Sequence, residues 1–194
     1  MANKDAAFGL RPVGKIGQNA DNQGLTEYLI ADNYGTDIFQ GDPVKAVAGG
    51  TVEVAAAANT NLVGVFWGQF ITKDPTTGKP TYRNYYTQTN VANGEEIRAF
   101  VYDDPYERFE VQSNNSGASA ATDVFELADI EYTAGSTING QSKVELDDST
   151  FVTTSAQLQV VNLSKDIDNN DLTSANVNWV VRINEHLYKQ TVGV

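Results

Sequence analysis

Apolar residues recur along this chain at every second position far more often than at helical spacing, in short runs broken by turn residues. Leu25-Thr26-Glu27-Tyr28-Leu29-Ile30 has strand composition and ends at the turn-rich Asp32-Asn33-Tyr34-Gly35. Val44 to Ala48 and Thr51 to Ala55 alternate on either side of Gly49-Gly50, a pair suited to the positive φ angles of a tight hairpin. The long apolar run Leu62 to Ile71 predicts a central strand, in which Gly64 and Gly68 mark bends, bulges or close backbone approach. Asp74 to Pro80 is a loop by composition. Asn93-Gly94 then predicts a hairpin between Tyr85–Val91 and Glu95–Tyr102, with Ile97, Ala99 and Val101 on one face and Arg98, Phe100 and Tyr102 on the other.

Asp103-Asp104-Pro105 stops that strand, since proline cannot donate to a ladder. In the next strand Phe109 and Val111 alternate with Arg108, Glu110 and Gln112. A polar loop, 114–121, leads to a short helical turn near Thr122 to Phe125. Further strands are expected over Lys143–Leu146, Gln157–Leu163 and Val177–Asn184, the last with Trp179, Val181 and Ile183 on one face. No long window keeps a helical period, so the chain reads as all-β, a sandwich or barrel of short antiparallel strands. Residues 1–20 keep neither period and read as an extended N-terminal arm on a single β-rich domain, 21–194. Its apolar anchors, Phe8, Leu10 and Val13, have two readings: they tuck into their own core, or they dock on a neighbouring subunit. On the second reading, removal of residues 1–13 leaves the domain folded and weakens binding.

Composition narrows the function classes. The formal charge of −12, from 25 acidic against 13 basic residues, opposes nucleic-acid binding, which needs clustered cations. There is no cysteine, hence no disulfide scaffold. No stretch approaches the length of a membrane span, and Met1 to Asp5 lacks the layout of a secretory signal.

Candidate chemistry is sparse. His186, the single histidine, follows a strong strand without a nucleophile-elbow motif, so a hydrogen-bonded strand-end role outweighs a catalytic one. Asp166-Ile167-Asp168-Asn169-Asn170-Asp171 begins like a calcium loop, but Asp171 stands in the place of its glycine and Val177 in that of its terminal glutamate. An Asx-rich turn is the better reading. Asp103-Asp104 and Asp147-Asp148 offer carboxylate pairs of the kind a glycosidase uses, an arrangement common to short acidic turns. Neither catalytic, metal nor cofactor-binding residues are assigned. Tyr82-Arg83-Asn84-Tyr85-Tyr86 gathers aromatics beside a cation, a composition enriched at protein contacts and able to stack on sugars.

Several blocks, in order along the chain, carry a resemblance: Asn3 to Val13, Gly41-Asp42-Pro43-Val44-Lys45, Tyr102-Asp103-Asp104-Pro105 with Phe109-Glu110-Val111-Gln112, Glu145 to Ser149, and Asn178 to His186. Together they resemble a group of tailed-bacteriophage virion proteins similar in role to capsid decoration, or cement, proteins. The resemblance implies a β-rich homotrimer on the capsid exterior of a virion assembled in a bacterial cytoplasm. Its partner would be the major capsid protein, with no cofactor, nucleic acid or membrane. Candidate partner-binding residues are then Phe8, Leu10, Arg11, Pro12 and Val13 in the arm, with Tyr82, Arg83, Tyr85 and Tyr86. The alternative is a carbohydrate- or receptor-binding β-domain of a virion, resting on Tyr82, Tyr85, Tyr86 and Trp67. A hydrolase using the acidic pairs is the third reading.

Overall fold

The computed structural model describes residues 2–16, 24–92 and 94–189. In chain order the first strands are β1 (Arg11–Lys15), β2 (Thr26–Ile30), β3 (Pro43–Val47), β4 (Thr51–Val54), β5 (Leu62–Ile71), β6 (Thr81–Arg83), β7 (Ile97–Tyr102) and β8 (Glu107–Gln112). They are followed by β9 (Leu127–Ala128), β10 (Ile130–Glu131), β11 (Glu145–Leu146), β12 (Leu158–Leu163) and β13 (Asn178–Ile183). Helical structure among the described residues is confined to three single 3-10 turns, one of them at Ala121–Asp123 beside the expected turn.

The Gly49-Gly50 pair turns the chain as its composition demands, with Val44 opposite Val54 and Val47 opposite Thr51. From that hairpin the pairings run β3-β4-β2-β7-β5, and β5 pairs back to β3, so five strands close into a ring with β6 added to the end of β5. Closure leaves no unpaired edge among those five strands. Most contacts in the ring are antiparallel; β2 and β4 meet in parallel at Leu29 and Thr51. The ring is filled by its inward alternate residues. Val44, Val52, Val63, Phe66, Ile71, Ile97, Ala99 and Val101 share one cluster with Ile38 and Tyr86.

A second sheet, in the order β1-β8-β13-β12-β9, packs over a separate core. Trp179, Val181 and Ile183 of β13 point into it, as the alternation predicts, with Phe109 and Val111 of β8 and Leu158 and Val160 of β12. The strand β5 serves both cores: Val63 and Phe66 enter the ring, whereas Leu62 and Val65 join the second cluster. A strand buried on both sides reads as a near-continuous apolar run, which is how β5 appears in the sequence.

Within the N-terminal segment the structure takes the first of the two readings of its apolar anchors at Leu10. Arg11–Lys15 forms strand β1 at the edge of the second sheet, paired with β8. Pro12 and a register shift between Pro12 and Gly14 suit it to that edge, where a missing donor and a bulge discourage further strand pairing. Leu10 is fully buried in the chain's own core. Ahead of it, the Asn3 amide donates to the main-chain oxygens of Asp171 (3.0 Å) and Ala175 (2.8 Å), and Gln112 bonds both Ala6 N and Lys4 O at 2.9 Å. Gly9 permits the close seat: a Cβ there would lie 2.6 Å from the Gly41 oxygen and 2.5 Å from Ser142 Cβ. Residues 2–10 pack on the β-structure and residues 11–15 join it as β1, so their removal exposes core. Leu10→Ala is expected to cost about 2 kcal/mol, the lower end for a buried leucine because an edge site can partly collapse. A urea midpoint unchanged from wild type would contradict this.

The expected Tyr85–Val91 strand is corrected. Tyr86 makes one bridge, with Ile38, and the paired segment is β6 instead. Both sides of β7 are taken by β2 and β5, so no edge is left for a strand following the Asn93-Gly94 turn. The segment is held instead by the 31–35 turn, through Val91 N to Asp32 Oδ1 (2.8 Å) and Asn33 N to Thr89 O (3.0 Å). Asn93 lies outside the described residues. The expected strand over Lys143–Leu146 shortens to Glu145–Leu146, paired with β10.

Candidate interaction surface

The blocks that carry the sequence resemblance meet one another in space. Leu10 N donates to Gly41 O at 2.9 Å, joining the first block to the second. Lys15, just beyond the first block, reaches Asp104 at 2.6 Å, and Arg11 pairs with Glu110. Gln112 and Asn178 join through their side chains at 3.3 Å. The first two stretches are joints of the fold and hold glycine and proline there, whereas the blocks in β8 and β13 alternate as paired strands.

The candidate binding residues therefore separate. In the N-terminal set, Leu10 is internal, Phe8 and Pro12 are half-buried, and Arg11 and Val13 are exposed. The Arg11 guanidinium lies 4.7 Å from the Phe8 ring centre, so both also satisfy one another. In the aromatic set, Tyr86 is wholly buried in the ring, its hydroxyl donating to Tyr34 O at 2.7 Å. Tyr85 is half-buried and stacks on Phe39 at 6.1 Å. Arg83 faces the buried Asp74 at 3.5 Å. Main-chain N–H groups of Thr77 and Thr76 hold that carboxyl below the usual range. Tyr82 alone of the set is strongly exposed, at 59%.

Tyr82 belongs to a band that sequence reasoning did not assemble. Its hydroxyl lies over Gly68, where a Cβ would come within 2.6 Å of it, and its ring sits 5.9 Å from that of Phe100 on β7. On the same strand, Tyr102 meets Trp67 edge-on at 5.4 Å. Trp67 occupies the register shift between Phe66 and Gly68, which turns it out of the ring. The available signal was the alternation itself, which places aromatics Phe100 and Tyr102 on the face opposite Ile97, Ala99 and Val101. Neighbouring Arg98 is spent locally, on Glu27 (3.0 Å) and Glu96 (3.3 Å). The band offers flat apolar area without a free cation of its own strand.

The acidic candidates are bound into turns. Asp103 accepts from Thr26 (2.9 Å) and Tyr28 (2.7 Å), and Asp147 accepts from Ser149 N at 3.0 Å to cap a 3-10 turn. Asn169, in the calcium-like stretch, donates to Lys4 O and Asn176 O at 2.7 Å, so the loop serves to hold the N-terminal segment. Among the described residues no three His, Cys, Asp or Glu side chains are grouped to hold a metal ion, and no helix is long and apolar enough to cross a membrane. His186 is buried at the end of β13, where Nδ1 accepts from Tyr188 N at 3.2 Å; burial pulls its pKa down to about 4 and leaves it neutral. Glu145 is pushed up to about 7 by burial and by Asp5, Glu131 and Asp148.

Asp42 gives a test of the buried joint between the first two blocks. Its Oδ2 accepts from Phe39 N at 2.8 Å, and burial pushes its pKa up to about 7. A raised carboxylate pKa means the folded protein keeps a proton that the unfolded chain releases. The stability from the neutral form is complete below the ordinary carboxylate range and is lost as pH rises to about 7, at about 1.4 kcal/mol per pH unit. Asp42→Asn retains the acceptor and lacks the charge. The variant should therefore gain on wild type as the pH of urea titrations is raised from 4 to 7; a constant difference would rule out the buried neutral acid.

No protein-family model matches the chain, and no curated protein and no solved structure is similar to it.

Proposed function

We propose that this chain is a non-catalytic capsid decoration protein, bound to the exterior of a phage head and bracing contacts between major capsid subunits. The observation that carries the reading is the aromatic band of exposed Tyr82 with part-exposed Phe100 and Trp67, backed by Tyr102 packed on the second core, in a chain whose candidate acidic pairs and histidine are engaged in its own structure. The resemblance of the ordered sequence blocks supplies the shell as the partner. An acidic exterior keeps such a protein off packaged DNA by repulsion. Trimeric copies would add modest contacts into a strong hold, each burying about 800 Å² per partner, through linked binding at neighbouring sites.

The experiment is co-sedimentation of the purified protein with expanded heads of the encoding phage, followed by thermal melting of the particles. Saturable binding and a raised melting temperature are expected, both weakened in a Tyr82→Ala/Phe100→Ala variant that remains folded. Failure to co-sediment would sink the proposal. The exposure of Tyr82 favours a second reading, a carbohydrate- or receptor-binding virion domain. A glycan-dependent thermal shift of the isolated protein, following the mass-action dependence on ligand concentration, would select it.

A further inference from the structure

The outer face of the second sheet carries a groove of about 520 Å³ that uses none of the residues of the aromatic band. In a chain of charge −12, three of the 13 basic residues, Lys15, Arg108 and Arg182, line it, and among the described residues no carboxylate does. Lys15 is engaged by Asp104 at 2.6 Å, and Arg182 Nε donates to Gln159 at 2.7 Å. Among the described residues no ion pair to a carboxylate is formed by Arg108, and its buried Nε has no hydrogen-bond partner. Arg108 and Arg182 lie on adjacent strands, one step beyond the pairing of Phe109 with Val181. Like charges side by side across strands repel, and an anion between them removes the repulsion. The field reaches Lys189, whose pKa is drawn down to about 8 by burial and then by Arg182.

The opposite wall gives independent support. Phe125 is 75% exposed and takes φ of 78°, a conformation unfavourable for a bulky side chain. Its backbone is pinned there, with Phe125 N donating to Val160 O (3.1 Å) and Phe125 O accepting from the Gln159 amide (3.4 Å). The neighbouring pairing of β9 with β12 thus holds an aromatic ring out into solvent at a strained position, a feature that clusters at binding sites. Ile16 adds a second exposed apolar side chain to the lining.

We propose that this groove binds an extended acidic peptide segment of a partner protein. Successive carboxylates would meet the Arg108 and Arg182 forks, and the apolar residues between them would pack on Phe125 and Ile16. Same-face residues of an extended peptide recur at about 6.6 Å, against about 5 Å between paired residues on neighbouring strands, a difference the long arginine side chains span. A peptide fits better than nucleic acid, because three cations on a strongly acidic protein are too few to hold a continuous polyanion.

The test is fluorescence anisotropy with a short labelled peptide alternating Glu with Leu and Phe, beside its Lys-for-Glu counterpart and an oligothymidylate. Saturable binding of the acidic peptide alone is expected. Charge reversal, Arg108→Glu with Arg182→Glu, should weaken it at least about tenfold, the loss of one charged hydrogen bond or more. Arg182→Gln and Phe125→Ala, checked for native near-UV circular dichroism, should each weaken it less. Absent or variant-independent binding overturns the proposal. Tighter oligothymidylate binding overturns it in favour of nucleic acid. Self-association of the protein that the charge reversal abolishes overturns it in favour of a second copy. The outcome is independent of whether the protein binds phage heads.

Discussion

Trp179→Ala is expected to lower stability by about 3–5 kcal/mol, a large share of the 5–15 kcal/mol typical of a domain. The indole is fully buried near the start of β13, paired in register with Val111 on one side and Leu163 on the other. It meets Phe151 edge-on with ring centres 6.1 Å apart. Alanine leaves a cavity walled by two hydrogen-bonded strands, which cannot close inward without breaking their ladders. Trp179→Phe should cost markedly less. It keeps an aromatic ring against Phe151 and removes an indole N–H that has no hydrogen-bond partner. The check is urea unfolding followed by circular dichroism; equal midpoints for Trp179→Ala and wild type would take this residue out of the core.

Gly64→Ala is expected to cost about 3 kcal/mol or more, although it adds a single methyl group. An added Cβ would stand 2.0 Å from the Tyr102 oxygen and 2.8 Å from its carbonyl carbon. Those are backbone atoms at the end of β7, so relief requires moving a strand of the closed ring. Because β5 also pairs with β3 at this residue, displacement on one side strains the other. Gly35→Ala is the control, since a Cβ there meets nothing within 4 Å and its cost should stay within about 0.5 kcal/mol. Indistinguishable urea midpoints for the two alanine variants would show that β5 and β7 have room to separate.

Particular residues show how far the sequence could be read. The alternation of Ile97, Ala99 and Val101 identified the inward face of β7, because a strand's two faces are set by a period of two. Gly64 was legible for a related reason: glycine inside a long apolar strand signals close backbone approach. Leu10 and Tyr86 were not. Each sits in an aperiodic stretch, and nothing local tells a core anchor from a contact for another protein. The same limit hid the band and the groove. Trp67 on β5 and Phe100 on β7 lie on strands other than that of Tyr82, and Arg108 and Arg182 are far apart in the chain. What brings each group together is strand pairing.

An all-β chain of short strands, their inward faces and the main turns follow from local period, β-branched and aromatic content and turn residues. The closed ring, the strand shared between two cores and the incorporation of residues 11–15 as an edge strand were decided only by tertiary structure. Pairing partners depend on which edges remain open after other strands have joined, and that competition is not written in any local window.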